Sequence, residues 1–184
     1  MNLIIFGPPG AGKGTQSNFI AKKYNLFQLS TGEILREQID KKTELGTKIA
    51  PIINSGSFVP DEIVSDLIEK VIKDEKYKDK IIFDGYPRSL TQANNLDSLL
   101  KKYAQKIDIV LKLSVSLETV KKRISERKSL EKRPDDSDEI AIKRYKTYER
   151  STEPVIDYYK RLNLLKVIDG ERSIDQINKE ISDI

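Results

Sequence analysis

The tightest constraint on the fold lies between Leu3 and Tyr24. An apolar run, Leu3 to Phe6, leads straight into Gly7-Pro8-Pro9-Gly10-Ala11-Gly12-Lys13-Gly14-Thr15, and a helical pattern follows through Tyr24. Strand, glycine-rich turn and helix in that order form a phosphate cradle, or P-loop. The glycines let backbone N–H groups turn inward around phosphate oxygens. The helix N-terminus adds the positive end of its dipole, and Lys13 can reach the outer phosphates. The plainer alternative is a merely tight strand-to-helix turn, but chance matches to this pattern rarely follow a strand at the start of a chain. One position departs from the general pattern. Gly14 follows the lysine where Ser or Thr usually binds Mg²⁺, and Thr15 comes one residue later, which weakens the case for direct metal ligation by a hydroxyl.

Four more apolar runs, Leu26 to Leu29, Lys80 to Phe83, Ile107 to Leu113 and Leu164 to Ile168, read as buried strands. All but the last are followed by a clear helical pattern. The expected fold class is α/β, a five-stranded parallel sheet flanked by its crossover helices. Such a sheet binds its ligands at the carboxyl ends of the strands, so the residues just after each run are the candidates for function. At 184 residues, with no repeat, linker or low-complexity tract, the chain reads as a single domain, 1–184.

Two stretches exceed what the sheet needs. Ser30 to Asp79 is longer than one crossover helix requires and suggests an inserted subdomain. It opens with Ser30, Thr31, Gly32 and Glu33, where Ser30 can cap a helix and Glu33 can reach back in a capping box. Lys128 to Ser137 is polar, contains Arg133, Pro134, Asp135 and Asp136, and reads as a short exposed loop.

Composition narrows the chemistry. Cys and His are both absent, which excludes disulfides, thiolate nucleophiles, imidazole bases, and zinc sites built on either residue. What remains is carboxylates, Lys, Arg, hydroxyls and backbone. The net charge of +4, from 33 basic and 29 acidic residues, is too small an excess to mark a basic arm for nucleic acid. Met1 to Phe6 is too short for a signal sequence and no apolar run spans a membrane. A cytoplasmic protein is the simplest expectation, and a monomer is the default because no apolar stripe stands out.

The segments GPPGAGKGTQ, LSTGEILR and FDGYPRSLTQA resemble the adenylate kinase family. RISER (Arg123 to Arg127), RPDD, KRYKTY (Lys143 to Tyr148) and VIDGER (Val167 to Arg172) extend the resemblance from Asn2 through Arg172. The resemblance implies a P-loop NTPase-type sheet with a nucleoside-monophosphate-binding insertion at 30–59 and a short lid at 127–137. It implies reversible transfer of the γ-phosphoryl of MgATP to AMP, giving two ADP. Larger lids in the family sometimes hold zinc on Cys residues; here a metal-free lid and no zinc site are implied.

Resemblance assigns Gly10, Ala11, Gly12, Lys13, Gly14 and Thr15 to the ATP phosphates. Asp84 is implied to hold the Mg²⁺ shell through water, although a strand-end Asp can also simply cap the next turn. Gly85, Tyr86, Pro87 and Arg88 are implied in AMP binding, with Arg88 on the acceptor phosphate. Thr31, Arg36, Ser57, Phe58 and Val59 match further AMP positions, and Gln92 is implied to read the adenine edge. Taken singly, Thr31 reads as first-turn helix, Arg36 as solvated face and Phe58 as core. Arg123 and Arg127, four apart on one helical flank, are implied to bind ATP. Arg133 and Arg144 are implied to close on the phosphates and to bind AMP, and Gly170 to Arg172 to contact the ATP adenine. Asp135 and Asp136 either hold the lid closed or cap the next helix. The catalytic set implied is therefore Lys13, Arg88, Arg123, Arg133 and Arg144.

Two rival readings remain at this point. A UMP/CMP-type kinase shares the phosphate machinery, but those relatives typically carry Ala in place of Thr31 and Asn in place of Gln92. A nucleotide-binding switch without turnover has no evident need for Arg88, Arg123, Arg133 and Arg144.

Overall fold

The first strand, β1 (Leu3–Phe6), is buried at every position, which is why its sequence is continuously apolar rather than alternating. The structure, a computed structural model, describes residues 1–131 and 136–183, the side chains at 130 and 131 excepted. Around β1 stand β2 (Phe27–Ser30), β3 (Ile81–Asp84), β4 (Ile109–Ser114) and β5 (Leu165–Asp169). All pair in parallel, in the order β2-β3-β1-β4-β5. The expected five-stranded α/β sheet is therefore present. β2, β3, β4 and β5 each end one residue later than expected, and β4 starts at Ile109 rather than Ile107. The extension matters at the site, because Ser30 and Asp84 face each other as the last pair of β2 and β3.

Eight helices flank the sheet among the described residues: α1 (Lys13–Tyr24), α2 (Thr31–Asp40), α3 (Glu44–Asn54), α4 (Asp61–Ile72), α5 (Leu90–Lys102), α6 (Leu117–Glu131), α7 (Asp138–Arg161) and α8 (Ile174–Ser182). Alternating side chains of each strand point to opposite faces. Ile4, Phe6, Leu29 and Phe83 accordingly share one core with residues of α4, α5 and α7. Leu3, Ile5, Ile82 and Leu111 share the other with residues of α1, α6 and α8.

The long stretch between β2 and β3 holds α2, α3 and α4. Ser30 caps α2 by accepting from the Glu33 N–H at 3.4 Å. Only this forward half of the expected capping box forms; a complete box, with reciprocal bonds, stands at Ser173 and Gln176 ahead of α8. The stretch expected as a loop from Lys128 is also corrected: α6 continues through Glu131. Nothing in Lys128 to Glu131 breaks a helix, and the first breaker is Pro134, which disfavours helix at the residue before it. Arg133, Pro134 and Asp135 lie outside the described residues.

Candidate active site

A cavity opens where the parallel strands end. Gly7, Pro9 and Lys13 wall it on the P-loop side, and Thr31, Gly32, Leu35 and Arg36 do so from α2. The segment around Ser57, Phe58 and Val59 faces Gly85, Pro87, Arg88 and Gln92, and α7 contributes Arg144, Tyr148 and Thr152. Sequence positions far apart are brought together because every contributing segment follows a strand of the same sheet or packs across those segments.

The P-loop is built on backbone geometry that glycine alone adopts freely. Gly10 and Gly12 have φ of 80° and 92°, in the left-handed region. At Gly10 a side chain would also meet α6, its Cβ lying 3.0 Å from Ile124 Cγ1 and 3.2 Å from the Val120 carbonyl. Lys13 turns its ammonium back onto the loop, donating to the carbonyls of Gly7 at 2.9 Å and Pro8 at 3.3 Å. Burial pushes this ammonium down to about 8; Asp84 opposes the shift, and Arg88, Arg144 and Arg127 reinforce it. A Cβ at Gly14 would meet open space, so the missing hydroxyl there is not imposed by crowding. Thr15 is exposed.

Asp84 ends β3 and is buried. It accepts from Gln28 Nε2 at 3.1 Å, so its side chain is held by the neighbouring strand. Among the described residues, no group of three or more acidic side chains could hold a metal by itself.

On the opposite wall, Thr31 donates its hydroxyl to the Gly85 carbonyl at 3.1 Å. Arg88 Nε donates to the same carbonyl at 2.6 Å. The Arg88 guanidinium lies 5.2 Å from the centroid of the Phe58 ring, within cation–π range. Phe58 thus borders the cavity as a platform for a cation and is only partly buried. Arg36 folds over Gly32, where a Cβ would come within 3.2 Å of its guanidinium. Gln92 is buried and its amide is engaged at both ends, by the Arg88 N–H and by Asp61. Tyr86 does not line the cavity; its side chain is in the core, with its hydroxyl donating to the Gln92 carbonyl at 3.2 Å.

The insertion touches α7 directly. Lys143 Nζ donates to the Ser55 carbonyl at 2.6 Å and approaches Ser57 Oγ at 3.5 Å. Gly56 packs so closely that a Cβ would lie 3.0 Å from Ile140 Cγ2 and 3.1 Å from Arg144 Cγ.

The remaining arginines occupy the other side of the P-loop. Arg123 donates to the carbonyls of Ala11 at 3.3 Å and Gly170 at 2.8 Å, joining the cradle to the turn after β5. Arg127 pairs with Asp136, and Arg144 lies 4.0 Å from the same carboxylate. Of the two alternatives for Asp136, the capping role belongs instead to Ser137, which accepts from the Ile140 N–H at 3.3 Å. Arg172 turns toward Glu180 and Asp169. Arg123, Arg127 and Arg172 do not line the cavity described above.

Sequence reasoning passed over Leu35, Ile53, Gly56, Val64, Tyr148 and Thr152 in the wall. Tyr148 and Thr152 follow Arg144 at four-residue steps, a spacing that places all three on one helical face. That signal was present in the sequence; Asp61 behind Gln92 had none.

The family model described as Adenylate kinase matches residues 5–164. A relative from Pelagibacter ubique named Adenylate kinase is 44% identical over 210 residues, covering 100% of this chain and 99% of its own length. One of the same name from Fervidobacterium nodosum is 39% identical, covering 100% of this chain and 97% of its own length. Another so named, from Porphyromonas gingivalis, is 40% identical over 184 residues, covering 100% of this chain and 95% of its own. A family model matched over most of the chain, together with relatives this similar over their full length, shows that the chain belongs to the adenylate kinase family.

Proposed function

We propose that this chain catalyses reversible phosphoryl transfer from MgATP to AMP, giving two ADP. The observation that carries the reading is the convergence of Lys13, Arg36, Arg88 and Arg144 on one cavity that also offers the apolar surfaces of Phe58, Val59 and Val64. Cations for phosphate and a platform for a base belong to one nucleotide. An acceptor phosphate is already an anion and needs no side-chain base, so a site without His is sufficient. An acceptor oxygen forms its bond to the γ-phosphorus as the bond to the β–γ bridging oxygen breaks, and ADP leaves with that electron pair. Charge spreads over the equatorial oxygens meanwhile, and guanidinium forks suit it.

In this reading Gly10 to Thr15 hold the ATP phosphates, with Lys13 turning from its loop carbonyls toward them. Arg123, Arg127 and Arg172 serve ATP. Thr31, Arg36, the Ser57 to Val59 segment, Gly85 to Arg88 and Gln92 serve AMP, and Arg144 serves the phosphates. Arg133, outside the described residues, couples closure of a 127–137 lid to chemistry. The 30–59 insertion and this lid together exclude water, which would otherwise accept the phosphoryl group.

Asp84 fits a Mg²⁺ partner: a single buried carboxylate beside the cradle suits a cation that keeps its waters and takes its remaining ligands from phosphate. That ion supplies charge neutralisation on the β and γ phosphates. Among the described residues no helix is long and apolar enough to cross a membrane. A cytoplasmic monomer with ATP, AMP and ADP as partners, and neither nucleic acid nor zinc, completes the proposal.

Product analysis with Mg²⁺ and ATP tests it, offering AMP, UMP, CMP and GMP in turn beside an ATP-only control. ADP formed in equal molar gain from ATP and AMP supports the reading. Preferred turnover of a pyrimidine overturns the acceptor, and tight ATP binding without turnover overturns the reaction.

A further inference from the structure

Resting on the proposal that Gln92 reads the acceptor base, we infer that Asp61 is a specificity-determining residue, which fixes the direction in which Gln92 presents its amide. A carboxamide is symmetric in shape and opposite in hydrogen-bonding sense at its two ends. Free to flip, it matches either of two base edges: a donor beside an acceptor, or the reverse. Adenine offers an amino donor and a ring-nitrogen acceptor. Hypoxanthine has the same size and offers the reverse, a carbonyl acceptor and a ring N–H donor.

The structure removes this freedom. Gln92 Nε2 donates to Asp61 Oδ1 at 2.5 Å, and Gln92 Oε1 accepts from the Arg88 backbone N–H at 2.7 Å. An ionised carboxylate can only accept and a backbone N–H can only donate. A flip would set the amide nitrogen against the N–H and the amide oxygen against the carboxylate, losing both bonds and creating two repulsions. One N–H and one oxygen lone pair remain for a ligand, in an order that cannot be exchanged. That order is the one adenine requires once a base faces the amide.

The support for Asp61 is itself rigid. Asp61 is the first residue of α4, two positions after Val59, where the segment that edges the cavity ends. α4 is braced against α5 by Asn95 Nδ2, which donates to Ser65 Oγ at 2.7 Å and to Tyr86 OH at 3.2 Å. Asp61 and Gln92 are 31 positions apart in sequence. The contact therefore links α4 to α5.

The experiment compares kcat/KM for AMP and for inosine 5′-monophosphate in the parent, in Asp61→Asn and in Gln92→Leu, with KM for ATP measured alongside. The carboxamide introduced by Asp61→Asn offers Gln92 either sense of hydrogen bond. The expected result is a loss of about tenfold in the AMP-to-inosine-monophosphate preference on Asp61→Asn, carried mainly by KM for AMP, with KM for ATP unchanged. Equal losses for both acceptors would show that Asp61 only supports the fold, and would overturn the inference. If Gln92→Leu abolishes the preference while Asp61→Asn retains it, the inference fails and the base-reading proposal survives. If Gln92→Leu leaves the preference intact, the base-reading proposal itself is wrong. Should Asp61→Asn fail to fold, Asp61→Ser, whose hydroxyl donates or accepts, gives the same comparison.

Discussion

Arg127 holds Asp136 with two parallel bonds, Nε to Oδ2 at 2.8 Å and Nη2 to Oδ1 at 2.5 Å, tying α6 to the residue that precedes the α7 cap. Asp136 is 0% exposed, so the pair is desolvated on its acidic side. Removing one partner of a buried pair leaves the other uncompensated. Asp136→Ala is expected to cost about 3 kcal/mol, read as a lower urea midpoint at unchanged slope. An unchanged midpoint would mean that solvent screens the pair.

Lys13 makes stability depend on pH. Its ordinary value of 10.5 applies to the unfolded chain, and burial lowers it to about 8 in the fold. Between those values the unfolded chain binds more protons, so stability rises with pH through that window, and the full penalty of a buried ammonium is present below about 8. Lys13→Met is therefore expected to be more stable than the parent at neutral pH by about 2 kcal/mol. The difference should shrink as pH climbs from about 8 to 10.5; a constant gap in denaturant melts across that range would contradict it.

The same group predicts proton uptake on binding. Phosphate oxygens beside Lys13 favour its charged form, so binding of a nucleoside triphosphate near pH 8 should draw protons from solution. Calorimetric enthalpies measured in buffers of different ionisation heat would then differ systematically, and Lys13→Met would abolish the difference. Buffer-independent enthalpies in the parent would contradict this.

Gly85 has φ of 82°, and a Cβ there would lie 2.9 Å from Thr31 Oγ1 and 3.0 Å from Arg88 Nη2. Gly85→Ala should displace both groups and raise KM for AMP about tenfold or more, while KM for ATP changes little. Equal changes in both constants would place the damage in the sheet rather than on the acceptor wall.

Lys143 tests the contact between the insertion and α7. Its bond to the Ser55 carbonyl is exposed, so Lys143→Met should cost about 1 kcal/mol of closure, seen as a several-fold weaker KM for AMP. Fluorescence transfer between dyes on α3 and α7 should report a larger mean separation in the variant. Unchanged transfer would show that packing of Gly56 on Ile140 holds the two together without the lysine.

The fold was largely legible because β1 and β3 are buried at every position and so announce themselves as continuous apolar runs, Leu3 to Phe6 matching to the residue; β5, expected as a buried strand, buries only Ile168 fully, because it lies at the edge of the sheet. Boundaries failed where local sequence permits two states, as at Lys128 to Glu131, where helix competes with loop and no breaker decides. The cradle could be read because Gly10, Gly12 and Lys13 act through local backbone geometry. The pairing of Asp61 with Gln92 could not, since it depends on how α4 lies against α5. Phe58 was ambiguous for the same reason: an aromatic side chain reads as core until the structure sets Arg88 over its face.

The strand order carries a consequence for synthesis on the ribosome. β1 leaves the exit tunnel before the other four strands yet lies at the centre of the sheet, between β3 and β4. A nascent chain can lay β3 beside β1 once Asp84 has emerged, but the second edge of β1 stays bare until Ser114 follows. During that interval a wholly apolar strand has an open hydrogen-bonding edge, a template for pairing with another chain. The strand that leads into the cradle is thus made before its neighbours and secured late, and a pause in translation at any point before Ser114 emerges leaves an edge of it open to pairing with another chain.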